Sequence, residues 1–495
     1  MNKILILASI VLFTFSCIKN TESQETIQKP KKITPPIEII SSTFLGNETR
    51  NFYGDSLPDR LDTIWQFYLG EGLSPAYGKN KIWKGAGWTG QPLLVLEYGH
   101  PYIIQGAFDY GLHKIDAITG KEIWNYKFDD ILKGTGTLWY NKNGKDSTEQ
   151  YVIIQGSRRG WNKKINSKYC WSLRAVSYYT GKELWRHNSV RTWSYSRDVD
   201  GSALVINDTG YLALENGLFT VFNPDYRFGI KVDSFFSPKV YKEIKYFTNH
   251  DTVVHGHDIV SESSPTYLGD HIYTASGTGW IYGYNIKKGK NDWQMYIGSD
   301  LDGSMPVTSD NCLLVPIEKQ YIKGNGGLMK VDPNKNPDSS VVWFLPVDSI
   351  KWIHWEGGII GSVTINDKTK KEDEPFLATF IDCKGDLYVV DYMHVREDTL
   401  VWSPNKETKY HPPVVLAKIK AHATISTPII VKNRIFEASD KGLFLYQFSY
   451  KNKKFDIKKI AFVPEMSCDA TPITWNGRIY IASTNGYLYC LGKKD

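Results

Sequence analysis

The stretch AITGKEIW (Ala117–Trp124) returns downstream as YYTGKELW (Tyr178–Trp185), with its TGKE–aliphatic–Trp core intact. The glycine in T-G-K-E marks a turn, and the Ile-Trp or Leu-Trp after it begins a strand. The surrounding unit is clearest at the end of the chain, in SCDATPITWNGRIYIASTNGYLYCLG. Three strand-like runs, Ala470–Trp475, Arg478–Ser483 and Tyr487–Leu491, are separated there by Asn476-Gly477 and Asn485-Gly486. Such dipeptides between alternating apolar residues are strong hairpin signals. The same phrase recurs as SSPTYLGDHIYTASGTGWIYGYN from Ser263 and as STPIIVKNRIFEASDKGLFLYQF from Ser426. Looser copies begin near Thr89, Gly136, Gly201, Gly303 and Gly361. Their spacing of roughly 45 to 65 residues lies somewhat above the period of about 40–50 for a propeller blade, with the excess in loops.

The opening octet falls at the turn after the third strand of a unit and at the start of a fourth. Asp292-Trp293 and Val342-Trp343 occupy equivalent points. A flat aromatic at a fixed place on the outermost strand fills the gap between neighbouring sheets. The last unit has only three strands, but Asp62–Tyr68 (DTIWQFY) reads like the outer strand IWNYKF and precedes any complete unit. The sequence therefore predicts an all-β fold over residues 45–495. It is a single eight-bladed β-propeller of four-stranded antiparallel blades, with an N-terminal strand completing the last blade. Closure of that kind leaves no open sheet edge.

Composition agrees, since 14% aromatic residues and 41 glycines suit short strands and tight turns. The net charge of +6 is spread over 59 basic and 53 acidic residues. No basic run is interleaved with aromatics, so nucleic acid is not an expected partner. At the N-terminus Asn2-Lys3 precedes an apolar run, Ile4–Phe15. That run falls short of the about 20 residues that span a bilayer and fits the apolar region of a secretory signal. Ser16-Cys17 then resembles a bacterial lipoprotein signal. Residues 1–17 read as the signal, with lipidation expected at Cys17, and the polar, Pro- and Lys-containing residues 18–44 read as a flexible tether. The expected location is the bacterial cell envelope, exported and lipid-anchored, facing the periplasm or the cell surface. The other cysteines are Cys170, Cys312, Cys383, Cys468 and Cys490, an odd set without a C-x-x-C spacing. A c-type haem attachment and the common zinc spacings are excluded.

GKEIW and GKELW, each after a KID- or AVS-type strand, resemble the repeat of the pyrroloquinoline-quinone (PQQ)-type propellers, and the resemblance covers nearly all of the chain after the tether. That family includes eight-bladed quinoprotein alcohol dehydrogenases and the lipoprotein scaffold subunit of the outer-membrane β-barrel assembly machine. A quinone enzyme of the alcohol-oxidising kind implies a bound quinone, calcium, a carboxylate base and a vicinal disulfide. This chain has no Cys-Cys pair. Cys468 and Cys490 fall on the first and third strands of one unit, where two inter-strand steps span about 9.6 Å. A disulfide needs Cα atoms within about 7 Å.

Several motifs carry possible chemistry. Gly85-Ala-Gly-Trp-Thr-Gly90 fits G-x-G-x-x-G, but a strand, Pro92–Leu96, follows where a dinucleotide fold needs a helix. Asp198-Val-Asp200-Gly201-Ser202 and Asp300-Leu-Asp302-Gly303-Ser304 have short-spaced carboxylates of the kind that chelate calcium. Neither continues to the later carboxylate of a calcium loop, and Asp-Gly turns are common before a strand. His255-Gly-His257-Asp258 offers ligands for a transition metal without a third histidine at a recognisable spacing, so no metal site is expected. What these residues share is their place before innermost strands, around the mouth of the central channel. The candidate binding rim is Arg197, Asp198, Asp200, His257, Asp258, Asp300, Asp302, His354, Glu356, His422 and Asp469. An insertion in the second unit, with Arg158, Arg159, Trp161 and Trp171, is the candidate partner loop.

These readings favour a non-catalytic, membrane-tethered, monomeric propeller without a cofactor that binds an envelope protein or glycan. By resemblance, an assembly or scaffolding role at the outer membrane is its most concrete form. The alternative is a periplasmic quinoprotein oxidoreductase dependent on PQQ and Ca²⁺.

Overall fold

Every unit of the sequence repeat becomes an antiparallel meander whose first strand lies innermost. Blade 4 shows the pattern, with Thr266–Leu268, His271–Ala275, Trp280–Asn285 and Lys290–Tyr296 hydrogen-bonded in that order. Its second and third strands bury both faces, because sheets pack on either side, whereas the outer strand alternates between exposed and inward residues. The computed structural model describes residues 37–76, 79–159 and 165–494. The signal segment, Cys17, tether residues 18–36 and Trp161 lie outside the described residues. No helix among the described residues is long and apolar enough to cross a membrane.

Eight such blades form the ring, as the repeat predicts. In blade 5 the innermost strand is reduced to a bridge between Val307 and Leu313. Asp62–Tyr68 pairs antiparallel with Tyr487–Gly492, so the last blade takes its outer strand from the N-terminal side of the chain.

The T-G-K-E-x-W phrase has a double role. The Trp124 indole N–H of blade 1 donates to the Tyr178 carbonyl of blade 2 at 3.0 Å, and Trp65 of blade 8 donates likewise to Ala117 of blade 1 at 3.1 Å. Trp185, Trp293 and Trp343 reach the following blade in the same way. The glycine of the phrase receives the tryptophan of the preceding blade. A Cβ on Gly181 would sit 2.9 Å from the Trp124 ring, and one on Gly120 2.8 Å from the Trp65 ring. Both glycines also have positive φ, at 66° and 74°.

A belt of hydroxyls joins the blades around the channel. The backbone N–H of Ser202 donates to Ser264 Oγ, Ser264 to Ser304, Ser304 to Ser362, Ser362 to Thr427 and Thr427 to Thr471, at 2.9–3.3 Å. Thr471 Oγ1 donates to the Trp88 carbonyl, Ser202 Oγ to Thr135 O and Thr135 Oγ1 to Gln91 O, which completes the circuit. Each belt residue lies two positions before its innermost strand, except Ser304, which stands three before the Val307 bridge. This is the physical content of the G-S and S/T-P signatures in the repeat: a buried donor on every blade needs a partner on the next.

One sequence expectation needs correction. The folded body begins at Ile37 rather than near residue 45. Ile37–Ser41 pairs with the innermost strand of blade 1, Leu93–Glu97, as a fifth strand. The chain then runs around the inside of the ring and bonds to every other blade. Ser42 O accepts from Leu138 N, Glu48 O from Tyr267 N, Thr49 O from Val307 N and Tyr53 O from Thr474 N. Tyr53 Oη accepts from Ile365 N, and Leu57 O from the Arg434 guanidinium. Arg50, fully buried, donates to the carbonyls of Pro265, Phe44 and Ser202 and to Thr43 Oγ1, which bridges the chain to blades 3 and 4. The Pro and Lys content of residues 18–44 signalled a tether, but Ile37, Ile39 and Phe44 carry the apolar contacts that dock the last part of it.

Candidate functional site: the acidic mouth of the channel

The belt gives a register in which the blades can be compared. Two residues before each belt hydroxyl stand Lys133, Asp200, Glu262, Asp302, Ile360, Ile425 and Asp469, in blades 2 to 8. The charged members of blades 2 to 5 converge. Glu215 and Glu318 join them from the ends of the second strands of blades 3 and 5.

Two carboxylate triads result. Asp200, Glu215 and Glu262 bring one oxygen each within 4.8 Å of one another, and so do Asp300, Asp302 and Glu318. The first triad contains its own cation. Lys133 Nζ lies 2.5 Å from Asp200 and 3.8 Å from both Glu215 and Asp198, and Arg158 Nε donates to Asp198 at 2.8 Å. Among the described residues no cation is ion-paired to the second triad, and Glu318 Oε2 and Asp300 Oδ1 are buried without a hydrogen-bond partner. Glu318 is 2% exposed and Asp300 7%.

Burial and mutual repulsion set the protonation of this group. Burial, with Lys133 opposing it, pushes Glu262 up to about 8. Burial and Asp258 take Asp300 to about 7. Burial and Asp300 take Glu318 to about 10 and Asp302 well above the carboxylate range. Glu215 rises through burial and Asp200. Asp198 behaves oppositely, because Arg158 and Lys133 outweigh its burial and hold it low. Lys133 rises in turn, its burial overcome by Asp200 and Glu215.

Aromatic side chains flank the carboxylates. Tyr195 and Tyr321 are 50% and 44% exposed, and Trp193 is 52% exposed. Tyr321 Oη donates to Asp258 at 3.2 Å, and its ring lies 4.4 Å from His255. His257 stacks 4.7 Å from Trp193 and bonds to its carbonyl. The tyrosines feel the triads directly, since Glu262 and Asp258 help to raise Tyr195, and Asp258 and Asp300 to raise Tyr321, beyond what burial does.

The rim residues named from sequence therefore separate. Asp198, Asp200, Asp258, Asp300 and Asp302 come together. His257 lies beside them in the Trp193 loop. Glu356 is exposed, close enough to add to the rise of Glu318, while His354 packs on Trp355 at 4.0 Å. His422 packs on Phe444 in blade 7, and Asp469 is placed near Lys81 and Asp440. Arg197 is buried, and its guanidinium donates to the carbonyls of Ser189, Ile165 and Ser167, away from the acids. In the blade 2 insertion, Arg158 turns into the mouth, donating to Asp198 and to Ser74 of a hairpin, Glu71–Ala76 and Lys79–Lys84. Arg159 is half-buried, and Trp171 stacks on Tyr169 and meets Phe235 of blade 3.

Sequence reading missed Lys133, Glu215, Glu262 and Glu318. Lys133 and Glu262 were within reach, since both stand two residues before a Ser or Thr that opens an innermost strand. Glu215 and Glu318 carried no such mark.

The fold, an eight-bladed β-propeller, is shared with solved structures of low sequence identity. Among solved structures, BamB from Moraxella catarrhalis aligns over 88% of this chain and 100% of its own, at a TM-score of 0.53 and 12% identity. The quinohemoprotein alcohol dehydrogenase of Comamonas testosteroni covers 92% of this chain and 81% of its own, at 0.54 and 14%. A second such enzyme, ADHIIG from Pseudomonas putida HK5, gives 0.52 and 11% over 92% of this chain and 81% of its own. No protein-family model matches the chain, and no curated protein matches by sequence.

Proposed function

We propose that this chain is a non-catalytic propeller of the cell envelope that binds a protein or glycan partner through the acidic, aromatic mouth of its channel. The observation that carries this reading is the convergence of eight carboxylates and three exposed aromatic side chains at the channel mouth. Carboxylates accept hydrogen bonds from hydroxyl and ammonium donors, and exposed aromatic faces supply contact area at little entropic cost. Beyond the belt, the N-terminal segment lines the ring and bonds to all eight blades. The likeness in fold to BamB supports a scaffolding role at the envelope, and the lipoprotein-like residues 1–17 support a lipid anchor there.

The competing quinoprotein reading draws on the likeness to the two alcohol dehydrogenases. PQQ carries three carboxylates of its own. The mouth opposes it with the carboxylates of Asp198, Asp200, Glu215, Asp258, Glu262, Asp300, Asp302 and Glu318. Among the described residues the cations ion-paired to them are Lys133 and Arg158, already engaged with Asp200 and Asp198. This donor set repels an anionic quinone unless a cation such as Ca²⁺, for which either triad offers three carboxylate oxygens, stands between them.

The test has two arms. A photo-crosslinking residue in place of Tyr321, in cells, is expected to capture an envelope component, and the same residue at Tyr98, exposed on blade 1, is not. Titration of the purified protein with PQQ, with and without Ca²⁺, is expected to leave tryptophan fluorescence unchanged. Saturable, calcium-dependent quenching would replace this reading with the oxidoreductase.

A further inference from the structure

The two triads share two positions of the repeat. Asp200 and Asp302 hold the same position before the belt hydroxyl, Asp198 and Asp300 stand two residues earlier in each, and Glu215 and Glu318 leave the second strand of the same blades. They differ in what faces them. The blade preceding Asp200 presents Lys133 at the register position, and its ammonium enters the first triad at 2.5 Å from Asp200. The blade preceding Asp302 presents Glu262 at that position. The second triad thus keeps two acids of the first, Asp302 for Asp200 and Glu318 for Glu215, and lacks its cation.

We propose that the Asp300–Asp302–Glu318 triad binds a primary ammonium group brought by a ligand, either a lysine side chain or an amino sugar. An ammonium has three N–H donors and no acceptor, which matches three converging carboxylates. Glu318 Oε2 and Asp300 Oδ1, buried and without partners, are the acceptors it satisfies. Leaving such oxygens unsatisfied is costly, and an ammonium donor would relieve that cost. Asp302 is half-buried and opens the triad to the mouth. Gly277 keeps the approach clear, since a Cβ there would stand 2.9 Å from Asp300 Oδ1. Tyr195 and Tyr321, both largely exposed, offer apolar faces along which the stem of a lysine side chain lies while its head reaches the acids. This inference rests on the partner-binding reading of the mouth and names the group by which the partner is held.

Calorimetric titration of the full-length protein tests it. The probes are Nα-acetyl-lysine N-methylamide against its norleucine analogue, and glucosamine against glucose. At least one amine is expected to bind with a Kd of about 1 mM, corresponding to about −4 kcal/mol, and at least ten-fold more tightly than its neutral analogue. Which of the two binds distinguishes a peptide from a glycan source. Glu318→Gln and Asp302→Asn should each weaken binding about ten-fold with unchanged circular dichroism. Glu262→Lys, which places a lysine before Asp302 as Lys133 stands before Asp200, should abolish it while leaving the protein folded. Equal binding of amine and neutral probes, or amine binding indifferent to all three substitutions, would overturn the proposal. So would binding of Ca²⁺ that the amines neither match nor compete with, which would make the triad a metal site. Failure of the amines with successful cross-linking from Tyr321 removes this inference alone, whereas amine binding without any cross-linked partner removes the partner-binding reading.

Discussion

Lys133 Nζ stands 2.5 Å from Asp200 Oδ2, the same repeat position in two adjacent blades carrying opposite charge. The lysine is the only basic residue in a register position otherwise filled, in blades 3, 4, 5 and 8, by acids. It holds together a group of carboxylates that would otherwise repel. Lys133→Met removes the cation and leaves Asp200, Glu215 and Asp198 facing one another, a loss of about 3–5 kcal/mol for one partner of a buried pair. A large fall in melting temperature is expected near pH 8, shrinking toward pH 5 as Glu262 and Glu215 take up protons. Differential scanning fluorimetry across that range is the measurement, and a deficit independent of pH would contradict it.

The raised carboxyls of the mouth predict a pH dependence of the opposite origin. Glu262, Asp300 and Glu318 titrate at about 8, 7 and 10 in the fold, against about 4 when unfolded. Between these values the native state binds more protons than the unfolded state, so stability falls as pH rises from about 4 toward 8. Glu318→Gln should therefore raise the melting temperature at pH 8 and flatten its decline, with little change near pH 4. A lower melting temperature of the variant at pH 8 would show that the carboxylate is stabilising where it stands.

Gly181→Ala tests the fit between blades 1 and 2. The new Cβ meets the Trp124 ring at 2.9 Å, in a left-handed backbone conformation that favours glycine. Strain of this kind costs about 1–3 kcal/mol. Chemical denaturation should show an earlier midpoint, with Trp124→Leu partly relieving the loss because the ring is the obstacle. Additive losses in the double variant would place the strain elsewhere.

Arg50 pins the N-terminal segment in the ring. Arg50→Met keeps the volume and removes all donors to Pro265, Phe44, Ser202 and Thr43, and orphaned buried acceptors cost about 1–3 kcal/mol each. Limited proteolysis should cut the variant within residues 42–57 much faster than the wild type, with blades 2 to 7 surviving longer than the cut segment. Equal cutting rates would mean that the other blade contacts suffice.

The amino-acid sequence by itself determined the ring. Turn glycines, alternating apolar runs and the T-G-K-E-x-W phrase are local, repeat with the blade, and leave an unfinished last unit whose missing strand, Asp62–Tyr68, has the matching pattern. A repeat reports its own packing because each copy makes the same contacts with its neighbours. The sequence also pointed to the mouth, through Asp198, Asp200, Asp258, Asp300 and Asp302, since residues entering innermost strands must face the axis.

Only the tertiary structure decided what those acids meet. Lys133 lies far from Asp200 in sequence and reaches it because blades 2 and 3 are adjacent in the ring. Arg158 read as a partner-loop residue until folding turned it onto Asp198. Arg197 read as a rim residue, yet the carbonyls of the same insertion claim its guanidinium. Ile37–Leu57 has no repeat and little periodicity, because its order comes from partners in eight separate blades rather than from its own pattern. Local periodicity encodes secondary structure and closure, whereas charge pairing and threading depend on distances that exist only once the ring has closed.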